Sequence, residues 1–268
     1  MIIDIHTHVF PPQIAEKTLE ALKTNVYKTR GVKSPAFTEG TVDSLKQSMA
    51  ENGIDISVVM PIATKPKQTH TINAYAEEIS GGNVISFGTV HPEQEDWESV
   101  LEDLAAKGFK GIKVHPQYQN VYVDSAEVLR VVKKAEDLGL YVMLHAGVDI
   151  GIPNFELCNP ERLSKLLDVV SGKYLIAAHL GSFEMWDDVE KYLVGTDMMF
   201  DISYACSHIE KDQFLRIIKN HGADKILYGS DSPWKSQSSP LEELKKLDLT
   251  NDEMDLITHK NAIRILGL

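Results

Sequence analysis

Ile2-Ile3-Asp4-Ile5-His6-Thr7-His8 decides the reading of this chain. The apolar run has the length of one strand. It ends on two histidines two apart, a spacing that a strand points to one side. Seven more short apolar runs follow: Ile54–Met60, Val84–Val90, Gly111–His115, Leu140–His145, Tyr174–His179, Met198–Ser203 and Lys225–Ser230. Near-continuous apolar runs, rather than strict alternation, suit parallel strands covered on both faces. The segments between them read as helices. Val128, Val131, Val132, Ala135 and Leu138 form a stripe at helical spacing. Asp124 stands three residues before Glu127, and Thr250 three before Glu253, the spacing of a capping box. Asn159-Pro160 reads as an N-cap followed by proline at the first helical position. Gly139 and Gly222 fall where helices stop.

Eight strands alternating with helices predict an α/β chain with a parallel sheet, closed as a (β/α)8 TIM barrel or open and doubly wound. No GxGxxG and no GxxxxGK[ST] follows any strand, which disfavours the nucleotide-binding open sheet. The 268 residues suit one barrel, so residues 1–268 are expected to form a single TIM-barrel domain. Residues 24–40 lack clear periodicity and read as an insertion after the first strand, a candidate lid.

Composition narrows the partners. The net charge of −12 disfavours nucleic acid and anionic membrane, whose phosphates call for clustered lysine and arginine. Cys158 and Cys206 form no close pair, which argues against a disulfide framework and a thiolate zinc site. No apolar run approaches a membrane span, and no charged, apolar leader precedes the first strand. The expected setting is a reducing cytoplasm, the expected partner a small-molecule substrate, and the expected assembly a homodimer.

The chemistry lies in where the histidines fall. Of ten, His6, His8, His91, His115, His145 and His179 sit at strand ends, and Asp231 ends the eighth strand. In a parallel barrel these ends open on one face, where active sites are built. Neutral imidazoles with a carboxylate suit Zn2+, Mn2+ or Fe2+ better than Mg2+.

Taken with His145-Ala-Gly147, His179-Leu-Gly181, Gly229-Ser-Asp231-Ser-Pro-Trp234 and the terminal Asn261-Ala-Ile-Arg264-Ile-Leu-Gly267, the first-strand motif resembles the amidohydrolase superfamily over nearly the whole chain. The last motif is similar to the closing helix of the amidohydrolase-related branch that includes aminocarboxymuconate-semialdehyde decarboxylase. The resemblance implies that His6, His8, His145 and Asp231 ligate a divalent metal, and that Asp231 also takes a proton from metal-activated water. It implies that His179 is a second-site ligand in two-metal members and a catalytic histidine in one-metal members. Two-metal relatives carry a carboxylated lysine on the fourth strand, where Lys113 stands beside His115. One metal, zinc by preference, is the favoured count, with Lys113 as a buried ion-pair partner or a substrate-directed cation. His91, Tyr118, Tyr204 and Trp234 are candidate pocket residues, and Arg30 is a candidate partner for a substrate carboxylate. His70, His208, His221 and His259 look ordinary.

Three functions compete. The first is hydrolysis of an amide, lactone or ester carbonyl. The second is non-oxidative decarboxylation of a small unsaturated or aromatic acid. The third is a catalytically silent, ligand-binding barrel. With only five arginines in the chain, few sit where a carboxylate substrate would need a clamp, and the reading leans to the hydrolase.

Overall fold

The structure is a computed structural model that describes residues 1–268. β1 (Ile3–Thr7) pairs in parallel with β2 (Ile56–Val59), and β2 with β3 (Val84–Ser86). A second parallel run contains β4 (Gly88–Thr89), β5 (Gly111–Val114), β6 (Tyr141–Leu144), β7 (Leu175–Ala177), β8 (Met199–Asp201) and β9 (Ile226–Leu227), in that order. Phe87 separates β3 from β4, but its N–H still reaches the Val59 carbonyl at 3.0 Å. The two segments are therefore one broken stave, and the nine strand segments make eight staves. The ring turns inward at Phe87, and Gly111 leaves room for it: a Cβ there would stand 2.5 Å from the Phe87 ring.

The barrel closes between its first and last staves. Ile5 N–H donates to Tyr228 O at 2.9 Å, Asp231 N–H to His6 O at 2.9 Å, and His8 N–H to Ser232 O at 2.6 Å. Side chains alternate across the staves as a pleat demands. Ile3, Ile5, Val58, Met143, Ile176 and Leu227 fill the interior, while Val142 and Leu144 face the helices. The chain is an α/β (β/α)8 barrel.

The helices are α1 (Pro12–Arg30), α2 (Val42–Asn52), α3 (Thr69–Ile79), α4 (Trp97–Ala106), α5 (Pro116–Gln119), α6 (Ala126–Asp137), α7 (Pro160–Ser164), α8 (Trp186–Tyr192), α9 (Lys211–His221), α10 (Ser239–Leu244), α11 (Asn251–Asp255) and α12 (Asn261–Leu266). The Thr250–Glu253 capping box forms, and Asn159 caps α7 through Arg162 N–H. The Asp124 cap does not. Ser125 caps α6, while the Asp124 carboxylate accepts from Arg162 and Lys165. The proposed insertion also shrinks. α1 runs on to Arg30 and ends at Gly31, whose φ of 70° closes the helix in the left-handed conformation. No helix is long and apolar enough to cross a membrane.

His221, on the last turn of α9, gives the fold a pH dependence. Burial, then the charge of Lys225, lowers its imidazole to about 4. Its Nε2–H donates to Met198 O at 2.8 Å and its Nδ1 accepts from Gly195 N–H at 3.2 Å, so the folded ring is neutral. An unfolded histidine titrates near 6.5. Below that pH the unfolded chain takes up a proton that the folded chain refuses. This contribution to stability is full above pH 6.5 and is lost as the pH falls toward 4. His221→Gln is expected to reduce the fall in unfolding free energy over that window by up to about 3 kcal/mol. Denaturant titrations at both ends of the window check it, and an unchanged fall in the variant would contradict it.

Candidate active site

Strand ends place the polar residues, and hydrogen bonds fix which ring nitrogens face the centre. His6 Nδ1–H donates to Asp201 Oδ2 at 2.8 Å. His8 Nδ1–H donates to Met60 O, also at 2.8 Å, and His179 Nδ1–H to Ser203 O at 2.9 Å. A carbonyl or carboxylate oxygen only accepts, so each Nδ1 carries the proton and each Nε2 turns its lone pair to a partner. Burial by itself would raise the Asp201 carboxyl. The His6 and His179 imidazoles and the Ser203 hydroxyl hold it well below the usual carboxylate range. Burial, followed by the Lys113 charge, lowers His6 to about 4, so its ring is neutral at pH 7.

Those lone pairs meet a carboxylate. Asp231 Oδ1 lies 3.2 Å from His8 Nε2 and 3.6 Å from His6 Nε2. Burial would raise the Asp231 carboxyl, but the His8 and His6 rings bring it down to about 2. Three acceptors this close need a proton or a cation between them. Bonds of roughly 2.0–2.1 Å in a tetrahedral shell put neighbouring donor atoms about 3.4 Å apart, which is the spacing found. His6, His8 and Asp231 therefore fit a divalent cation.

Lys113 lies beneath this trio, fully buried, with Nζ 3.2 Å from His6 Nε2. Burial lowers its ammonium to about 8. The expected ion pair does not form, because its hydrogen-bond partner is an imidazole. A metal on His6 Nε2 would compete with this ammonium for one lone pair.

His145 stands apart from the trio. Its Nδ1 is 3.1 Å from His179 Nε2, and its buried Nε2 has no hydrogen-bond partner, with Asp149 Oδ2 3.9 Å away. The ligand atoms of His6, His8 and Asp231 form one group, and those of His115, His145 and Asp149 a second. His115 Nδ1 accepts from Tyr118 N–H at 3.3 Å, so its Nε2 carries the proton. That proton points to Asp149 Oδ2 at 3.5 Å. With its Nδ1–H on Ser203 O, His179 turns its Nε2 toward His145 Nδ1.

The floor opens into a cavity of about 640 Å3. Tyr118, Tyr204 and Trp234 line it, as do His115 and Lys113. Two expected pocket residues do not. Arg30 donates to Glu184 Oε2 at 2.6 Å, and His91 Nδ1 accepts from Glu93 N–H. His179, Tyr204 and Asp231 all hold left-handed φ values, 61°, 57° and 67°, which side chains other than glycine rarely adopt. Strain gathered on residues that point into one chamber marks a functional site. The sequence reading missed Asp201, Ser203 and Asp149. The first two end a buried apolar strand, and a carboxylate at such a place needs partners. Asp149, on a loop, carried no comparable signal.

The amidohydrolase family model matches residues 3–268, and the chain belongs to that family, whose members are metal-dependent enzymes. A divalent metal is accordingly the cofactor class that its residues fit. No curated protein matches the chain. Among solved structures, an uncharacterized TIM-barrel protein from Bordetella bronchiseptica superposes with a TM-score of 0.76 at 16% identity, over 99% of this chain and 98% of its own. A 5-carboxyvanillate decarboxylase from Novosphingobium aromaticivorans, solved with bound manganese, superposes at 0.74 with 14% identity, over 100% and 97%. A probable 2-pyrone-4,6-dicarboxylic acid hydrolase from Acinetobacter baumannii does so at 0.65 with 18% identity, over 100% and 99%. At such identities the likeness shows the fold.

Proposed function

We propose that the protein is a metal-dependent hydrolase that opens the amide, lactone or ester carbonyl of a small molecule. One observation carries the reading. The chamber floor sets an ionised Asp231 beside the Nε2 atoms of His6 and His8, while no arginine lines the chamber to clamp a carboxylate substrate. His6, His8 and Asp231 would hold one cation, with His145 and His179 beside it. The donor set suits zinc first, with manganese and iron as alternatives. When bound, the dication supplies Lewis acidity and brings the acidity of water toward neutral pH. Asp231 is the acceptor that can take the proton of an attacking water. Asp231 then returns it to the leaving group. The Lys113 ammonium and the His115 Nε2–H donate into the same chamber and can hold oxygen as it gains negative charge.

Decarboxylation is the second reading, supported by the activity of the Novosphingobium neighbour. The test is a panel of neutral esters, lactones and amides with the metal-loaded protein in heavy-oxygen water. Aromatic acids are assayed in parallel for carbon dioxide. Heavy oxygen in the acid product is expected. Carbon dioxide release without hydrolysis would overturn the hydrolase. Tight ligand binding with neither reaction would favour the silent barrel.

A further inference from the structure

α1 carries two apolar rows that meet at Val26. Ala15, Leu19 and Val26 are buried. Ile14, Thr18 and Leu22 follow one another at intervals of four and, with Val26, line the chamber. At 1.5 Å per residue that row runs for about 18 Å along the helix. Ile14, at one end of the row, is a large apolar side chain left 49% exposed. Ile62, Ile72 and Tyr75 line the same chamber from the segment after β2 and from α3.

Charge is confined to a few points of this space. Its lining carries two carboxylates, Asp149 and Asp231, and two ammonium groups, Lys67 and Lys113. Of these, Asp231 and Lys113 belong to the floor. At about 30 Å3 per non-hydrogen atom, the 640 Å3 cavity holds roughly twenty such atoms. A single aromatic acid would leave much of it filled with water against apolar walls. A straight apolar row on one helix face instead matches an extended chain.

We infer that the row Ile14–Thr18–Leu22–Val26 with Ile62 and Ile72 is a subsite for the alkyl or acyl tail of the substrate, whose carbonyl reaches the floor. The inference rests on the hydrolase reading for the reaction, but not for the binding. Burying each further methylene favours binding severalfold, so selectivity rises with tail length until the row is filled.

The experiment compares 4-nitrophenyl acetate, hexanoate and decanoate as substrates of the metal-loaded protein, and measures decanamide binding by calorimetry. A rise in kcat/KM of about a hundredfold or more from acetate to decanoate is expected. In Ile14→Glu and Leu22→Gln the decanoate-to-acetate ratio should collapse toward one. Because it is a ratio within each protein, partial loss of folded material leaves it unmoved. Hydrolysis of all three esters at equal kcat/KM would overturn the subsite and leave the hydrolase standing. Decanamide binding that the two substitutions weaken, with no ester turned over, would uphold the subsite and overturn the hydrolase. Turnover of compact aromatic esters alone, with no decanamide bound, would replace the tail with a planar ring and overturn the inference.

Discussion

A protein carrying His6→Ala and His8→Ala together is expected to lose its divalent metal while keeping its barrel. Each ring sets one Nε2 lone pair beside Asp231 Oδ1, at 3.6 Å for His6 and 3.2 Å for His8, and the double substitution leaves the carboxylate as the last of the three ligand groups. Removing both nitrogens should weaken the metal by at least ~100-fold, since the loss of supporting groups alone costs about 10- to 100-fold. The strand survives because its register rests on backbone bonds, with His6 O accepting from Asp231 N–H and His8 N–H donating to Ser232 O. Elemental analysis of protein purified without a metal-affinity tag, read beside circular dichroism, decides it. Full metal content in a folded double variant would remove both histidines from the ligand set. The wild type should carry about one equivalent under this reading. Two equivalents would turn attention to Lys113 and His179.

Asp231→Asn should lower kcat by about a thousandfold, the middle of the range for losing a positioned proton acceptor. The amide keeps the shape of the carboxylate and can still accept one hydrogen bond. It cannot accept the proton of an attacking water, and it is a poorer partner for a dication. Metal content must be measured on the same sample. A variant that keeps its metal and loses turnover assigns Asp231 to proton transfer, and one that loses both assigns it to ligation. Near-normal turnover would deny it either role. Its left-handed φ is set by the main chain, whose N–H holds the His6 carbonyl, so the fold should persist.

The staves were readable because strands buried on both faces make apolar runs that little else in the chain imitates. Their ends announced His6, His8, His145, His179 and Asp231 because a parallel barrel leaves histidines at such ends no neutral place. What stayed hidden follows from local competition. Ser125 won the α6 cap because Asp124 found Arg162 and Lys165, partners far away in sequence. The last turns of α1 read as irregular because Val26 is their one buried residue, too few to show a period. The tautomers of His115 and His179 depend on Tyr118 N–H and the Ser203 carbonyl, contacts set by tertiary approach. Arg30 gave no hint that Glu184 would claim it.

His6, His8 and Asp231 also lie on the two staves between which the ring of strands is sealed. A cation gripped there acts as a clasp on the seam. Its donor set exists only after the eighth stave has docked against the first, so an incomplete or partly opened barrel has nothing to offer it. Metal would therefore raise resistance to unfolding in proportion to the logarithm of its free concentration. A chelator would loosen the molecule first at this seam, and amides of β1 and β9 should become the earliest to exchange their hydrogens with solvent.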